Sequence, residues 1–126
     1  MADFLPAYED ADRLTFTAGG AIVGGNVVEV TTGATTPPTV VATSGVSSKV
    51  VGIALHDAAS GALVAVTRTG ACDLVTTANV AIGDHVTSST TGGVAPIGAG
   101  TFVQDIGVAV TAATSPATAR VLLKLQ

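Results

Sequence analysis

The stretch Ala119-Arg120-Val121-Leu122-Leu123-Lys124-Leu125 decides the fold class. With a period of two it places Val121, Leu123 and Leu125 on one face and the two cations, Arg120 and Lys124, on the other. A helical period mixes them. The same alternation recurs upstream. Ala62-Leu63-Val64-Ala65-Val66-Thr67-Arg68 brings Val64 and Val66 together, and Asn26-Val27-Val28-Glu29-Val30-Thr31 sets Val28 and Val30 opposite Glu29. Clusters of Gly, Pro, Asn, Asp and Ser separate these runs, as turns separate short strands. Frequent β-branched residues and glycines penalise helices throughout. The expected fold is all-β, a compact β-barrel of short strands forming a single domain over residues 14–126.

Working outward from the strands, a weak internal repeat emerges. Val51-Gly52-Ile53-Ala54-Leu55-His56-Asp57-Ala58-Ala59-Ser60 recurs as Ile106-Gly107-Val108-Ala109-Val110-Thr111-Ala112-Ala113-Thr114-Ser115, and each copy leads into a valine-containing strand. Upstream, Ile22-Val23-Gly24-Gly25-Asn26-Val27-Val28 parallels Val80-Ala81-Ile82-Gly83-Asp84-His85-Val86, and Pro38 is expected to match Pro96. Two similar halves point to a pseudo-symmetric barrel.

Residues 1–13 differ from the rest and are expected to form an extended N-terminal arm. They hold Asp3, Glu9, Asp10 and Asp12, together with Phe4 and the only tyrosine, Tyr8. Pro6 disfavours a helix around Leu5. The chain as a whole is unusually sparing with charge: charged residues make up 11% of it, against roughly 25% in ordinary soluble domains. Such a surface is made polar by Thr, Ser and backbone, or is covered by a partner. A mean hydropathy of +0.62 invites a membrane reading, but no run approaches the length of a spanning helix. The acidic N-terminus lacks the basic and apolar regions of a signal peptide. A net charge of −4, with five scattered cations, argues against binding to a phosphate backbone.

The catalytic and metal-binding patterns that the sequence suggests each lack a required element. His56-Asp57 and Asp84-His85 suggest a base with its orienting carboxylate, but adjacent strand residues face opposite ways and both aspartates fall in turns. Gly19-Gly20-Ala21-Ile22-Val23-Gly24-Gly25-Asn26 has the glycine spacing of a phosphate loop, yet Gly25-Asn26 stands where Lys and Ser or Thr are required. Ser44-Gly45 and Ser60-Gly61 have no identifiable base, and no nucleophile elbow is present. The single cysteine, Cys72, excludes an intrachain disulfide and reads as a half-buried structural thiol. No catalytic, cofactor or metal site is expected.

The order Gly24-Gly25-Asn26-Val27-Val28-Glu29-Val30, then residues 50–61, Val64-Ala65-Val66-Thr67-Arg68-Thr69-Gly70, Ile82-Gly83-Asp84-His85-Val86 and Ile106-Gly107-Val108-Ala109-Val110 resembles small tailed-phage capsid decoration proteins, the head-stabilising or cement proteins of the lambda type. The resemblance implies a β-tulip or β-clip-like barrel that sits as a homotrimer on the outside of an HK97-type shell. There it would cement neighbouring major capsid subunits, with the N-terminal arm helping to hold the shell. It also implies synthesis in the host cytoplasm and a place on the virion exterior. On this reading Phe4, Leu5, Pro6 and Tyr8 contact the capsid, the arm adding a strand to an exposed edge while its side chains fill pockets. A spike or fibre base, or a tail component, could use the same barrel. A β-clip nucleotide hydrolase would need clustered acids for Mg²⁺, and the acids here are scattered.

Overall fold

The computed structural model describes residues 13–31, 38–98 and 104–124. Among them ten strands follow one another: β1 (Arg13–Ala18), β2 (Val27–Val30), β3 (Thr39–Ala42), β4 (Val50–Ala54), β5 (Leu63–Thr67), β6 (Ala71–Val75), β7 (His85–Ser88), β8 (Val94–Pro96), β9 (Gly107–Ala109) and β10 (Thr118–Leu123). One 3-10 turn, Thr90–Gly92, interrupts the sequence of strands. The fold is all-β, as the alternation requires. β1 already begins at Arg13, the residue assigned to the end of the arm, and the rest of the arm lies outside the described residues.

The first five strands close a barrel in the order β1-β3-β2-β4-β5, and the last five form a sheet in the order β6-β10-β9-β7-β8. Advancing each strand of the barrel by five reproduces the neighbours of the second sheet. The partners β1–β5, β5–β4, β4–β2 and β2–β3 become β6–β10, β10–β9, β9–β7 and β7–β8. Only the closure differs. β1 and β3 pair in parallel at Thr17↔Thr39 and Ala18↔Val40, whereas the second half closes through a single parallel bridge, Thr76↔Val94.

The repeat is therefore structural, and it extends to individual hydrogen bonds. Ile22 bridges Ala58 as Val80 bridges Ala113. The Gly25 amide donates to the Ala54 carbonyl at 2.8 Å, and the Gly83 amide to the Ala109 carbonyl at 2.8 Å. Gly25 and Gly83 have φ of 92° and 89°, a turn conformation that a Cβ would strain. The prolines do not match, however. Val86 faces Pro96 as Val28 faces Ala42, so Pro96 is the counterpart of Ala42, and Val94 that of Val40. Proline, with no amide to donate, is tolerated in β8 because this strand ends the sheet order.

The shared motif Val51-Gly52-Ile53-Ala54 and Ile106-Gly107-Val108-Ala109 has a steric cause. A Cβ on Gly52 would lie 2.3 Å from the Thr67 carbonyl oxygen and 2.5 Å from Val66 Cγ1. On Gly107 it would lie 2.4 Å from the Leu122 carbonyl oxygen and 2.7 Å from Val121 Cγ1. In both halves the neighbouring strand passes directly over the glycine. Beside Gly52 the β2–β4 register also shifts, between Val28 and Glu29.

Two cores result. Phe16, Ala18, Val28, Val40, Val64 and Val66 pack inside the barrel. Leu74, Val86, Val94, Ile106, Ala119 and Val121 pack in the second half, with Leu123 at the margin. Val64, Val66, Val121 and Leu123 are thus inward and Arg120 and Lys124 exposed, as their spacing predicts. Val27 and Ile53 are different: they stand on barrel strands yet belong to the second core, and are 0% and 2% exposed.

Gly52→Ala and Gly107→Ala should each lower stability by about 1–3 kcal/mol, the usual cost of overpacking. Gly20→Ala, where nothing lies within 4 Å of the new methyl group, should leave the urea midpoint unchanged.

Candidate functional site

The two histidines illustrate how the polar side chains of this fold are used. The Ala65 amide donates to His56 Nε2 at 3.2 Å, which leaves Nδ1 to donate to the Asp57 carbonyl at 2.9 Å. Asp57 Oδ1 in turn accepts from the Gly24 amide at 2.8 Å. The pair ties the turn before β2 to the turn before β5. In the second half Thr111 takes the place of His56, its Oγ1 accepting from the Arg120 amide at 2.8 Å. A hydroxyl thus does the same work as the imidazole, which marks the role as structural. Asp84 bonds locally, Oδ2 accepting from the Ala81 amide at 3.0 Å, the turn role expected of it.

His85 has a carboxylate partner that its sequence neighbours do not reveal. Its Nδ1 lies 2.6 Å from Asp105 Oδ2, and Asp105 Oδ1 accepts from the Gly107 amide at 3.0 Å. Lys124 Nζ is 3.4 Å from the same carboxylate. The Asp105 side chain is only 5% exposed, while His85 and Lys124 remain open to solvent. The carboxylate therefore clamps β7 and β9 to the residue that follows β10. Its counterpart in the first half, by strand alignment, is Val50, so the repeat carries no signal for it.

The glycine-rich segment lies between strands. β1 ends at Ala18, the Gly19 amide donates to the Val40 carbonyl at 2.8 Å, and Gly24-Gly25 forms the turn into β2. No helix N-terminus follows to receive a phosphate. Cys72 packs against the second core, half-buried, and its thiol is pushed up first by burial and then by the negative charge of Asp73. That disfavours the thiolate needed for nucleophilic chemistry. Among the described residues no group of three or more His, Cys, Asp and Glu side chains is arranged to hold a metal ion. No helix among them is long and apolar enough to cross a membrane.

Asp73 and Arg120 pair across β6 and β10, with Arg120 Nε 3.0 Å from Asp73 Oδ1. The hydrogen bond from Arg120, reinforced by its charge, holds the Asp73 carboxyl below the usual range. Around this pair the outward face of the second half carries large exposed aliphatics, Val75, Val110 and Leu122. The candidate site is therefore this exposed surface. The arm residues Phe4, Leu5, Pro6 and Tyr8 fall outside the described residues.

A duplicated five-stranded unit, whose polar groups fasten turns and strands and whose open faces bear aliphatic side chains, offers surfaces that a partner could cover. The chain belongs to the phage cement protein family, whose model matches residues 8–125. Its fold is also that of the head fiber gp8.5 N base of bacteriophage phi29. The two share 15% identity over 89% of this chain and 92% of that one, with a TM-score of 0.66. No curated protein matches in sequence. Family and fold together make this a phage structural protein associated with the phage head, in agreement with the resemblance read from its strand motifs.

Removing the buried carboxylate in Asp105→Ala should cost about 2–4 kcal/mol in chemical denaturation, since it leaves a buried amide without its acceptor and breaks the clamp. Because the Asp73 carboxyl is lowered in the folded chain, its contribution to stability is present above the ordinary carboxylate range. That contribution disappears as pH falls through the folded value. Asp73→Asn should therefore melt slightly lower than wild type at neutral pH and low salt, with the gap closing on acidification or at high salt.

Proposed function

We propose that the chain binds the outer surface of an HK97-type phage shell as a homotrimer and cements neighbouring major capsid subunits. The observation that carries this is the match to the phage cement protein family along nearly the whole chain. The fold is consistent with it: two fused five-stranded units with little surface charge offer a rigid body for laying across joints between shell subunits. The role is mechanical and needs no catalysis, cofactor or metal. The protein is made in the host cytoplasm and ends on the capsid exterior.

Residues 1–13 serve as the arm on this reading, extending from the body formed by residues 14–126. Phe4, Leu5, Pro6 and Tyr8 would supply the apolar contacts, the aromatic pair acting as anchors of the kind that dominate protein interfaces. An arm that orders on contact gives up conformational entropy, so its hold on the shell is modest for each copy. A trimer offsets this, because the first arm to bind raises the effective concentration of the other two.

A second reading is favoured by one observation. The phi29 structure that shares this fold is the base of a head fibre. The same barrel pair could anchor a projecting fibre or spike on the head, with shell stabilisation secondary.

Undecorated expanded shells incubated with the purified protein should bind it at three-fold positions and melt at higher temperature. Phe4→Ala combined with Tyr8→Ala should weaken shell binding by about tenfold or more, as loss of two aromatic anchors does, while leaving the protein's own melting temperature unchanged. Shells that gain protein but no thermal or mechanical stability would favour the fibre-base reading.

A further inference from the structure

The two halves differ in how the free side of their first strand is finished. In the first half β1 pairs with β3, the Thr17 amide donating to the Pro38 carbonyl at 2.9 Å and the Gly19 amide to the Val40 carbonyl at 2.8 Å. In the second half β6 ends the sheet order and meets β8 only at the bridge Thr76↔Val94. The Thr77 amide, counterpart of Gly19's, still reaches the Val94 carbonyl at 2.9 Å. The Val75 amide, counterpart of Thr17's, has no partner among the described residues. The rest of this edge is bare as well. Leu123 donates to the Gly70 carbonyl and Thr76 to the Ala117 carbonyl, which fixes the alternation of the β6–β10 ladder. Cys72 and Leu74 therefore face β10 with their backbone groups, and the amides and carbonyls of Ala71, Asp73 and Val75 point away from it. The strand at the other end of the sheet order, β8, is only three residues long and carries Pro96, whereas β6 has five residues and no proline. An unpaired edge of this kind is a template for another extended segment.

The chain itself brings such a segment to this place. Arg13 is paired with Thr67, and Thr67 is joined to Ala71, the first residue of β6, through Arg68-Thr69-Gly70. Residues 1–12, which lie outside the described residues, therefore enter the body beside the start of the open edge. Fully extended they reach about 40 Å, and the five residues of β6 cover about 17 Å. A segment leading back from Arg13 along β6 runs antiparallel to it, the more stable arrangement. Charge agrees with this course. Residues 1–12 contain Asp3, Glu9, Asp10 and Asp12 and no Lys or Arg, so they carry the whole formal net charge of −4. Arg13 and Arg68 stand at the point of entry, the first exposed and the second half-exposed. Neither has a carboxylate partner among the described residues. Farther along the edge Val75 is 50% exposed, four positions beyond Ala71, as Tyr8 lies four positions before Asp12. Asp73, between them, is already neutralised by Arg120.

We infer that the open edge of β6 is the docking site of the chain's own residues 1–12, which add a strand antiparallel to β6, with Asp10 and Asp12 meeting Arg68 and Tyr8 lying on Val75. The backbone groups of Ala71, Asp73 and Val75 supply the affinity, and the contacts at the two ends set the register. Occupying the edge from within the chain also guards it against unrelated strands. A few hydrogen bonds at a sheet edge open well below the global transition, so the docked segment leaves the melting temperature unmoved. The inference concerns the isolated chain and does not depend on the shell. A segment released from β6 keeps the length and the aromatic anchors with which it would reach a capsid edge.

Tyr8 is the only tyrosine and the chain has no tryptophan, so the intrinsic fluorescence of the full-length protein reports on this segment alone. Acrylamide quenching of Tyr8 and amide exchange at Ala71 and Asp73 are measured in the wild type, Arg68→Glu, Val75→Pro and Lys49→Glu. Val75→Pro removes an amide that β10 does not use, a change an edge strand tolerates. Lys49→Glu makes the same charge reversal at an exposed lysine before β4 and is the control. In the wild type and the control, Tyr8 should be quenched several-fold less than in the urea-unfolded chain. Their Ala71 and Asp73 amides should exchange about tenfold more slowly than those of Arg68→Glu and Val75→Pro, at every protein concentration. If one variant fails to fold by circular dichroism, the other decides. A wild-type Tyr8 as open to acrylamide as in the unfolded chain would overturn the inference, and so would protection that both variants retain. Protection that fades on dilution would overturn it by giving the edge to the arm of another copy. In each of these outcomes the cement reading, which rests on the family, stands.

Discussion

The structure turns on the placement of two side chains. Val27 and Ile53 lie side by side on adjacent barrel strands, pointing away from the barrel interior, and are buried in the core of the other half. Burying side chains of this size from water is worth about 1.5–3 kcal/mol each, a large share of the stability of any small domain. It also fixes geometry. Because Val28, next to Val27, fills the barrel itself, β2 is held on both faces and becomes the shared wall of the two cores. The polar contacts at this junction depend on that seating. Thr43 Oγ1 donates to the Ser89 carbonyl at 2.9 Å, and Ser88 Oγ donates to the Gly45 carbonyl at 2.9 Å while accepting from the Ser47 amide. Ser47 also bonds the Glu29 carboxylate. The 3-10 turn is pressed against the same region, for a Cβ on Gly92 would lie 2.6 Å from the side chain of Asn26.

Much of this was legible in the sequence, and the part that was not has a definite cause. Alternation found the inward residues of β5 and β10 because each of these strands has one core face and one outward face. It assigned Val28 and Val30 correctly but gave Val27 no role, since a strand buried on both sides shows no alternation at that point. The repeated valine-glycine-isoleucine-alanine motif was visible as a repeat. Its reason, a strand crossing over Gly52 and Gly107, needed coordinates. The prolines misled because loops of unequal length separate the equivalent strands: Pro38 precedes β3, whereas Pro96 ends β8.

The site was less legible than the fold. Adjacent His-Asp pairs drew attention and proved to be turn fasteners, while the carboxylate that does meet His85 comes from a position twenty residues away. No spacing rule connects them, because the contact depends on β7 and β9 being neighbours in the sheet order rather than in the chain. The glycines with phosphate-loop spacing serve the turn between β1 and β2, where the chain must reverse.

Duplication explains why the halves diverged where they did. Equivalent positions in the cores of the two halves kept their character: Phe16 answers to Leu74, Val28 to Val86, Val40 to Val94 and Val66 to Val121, apolar in every case. The outward row changed. Where the first half carries Val27, Val50 and Ile53 against the second half, the second carries the half-exposed His85 and Val108 and, held by His85 and Lys124, the buried carboxylate of Asp105. A face that is always covered within the chain can be wholly apolar without harm. A face open to solvent must remain compatible with water, and clamping a buried carboxylate between a histidine and a lysine achieves that while tying neighbouring strands together. Two units with one topology were thus fitted to two conditions, burial within the chain and exposure at its surface.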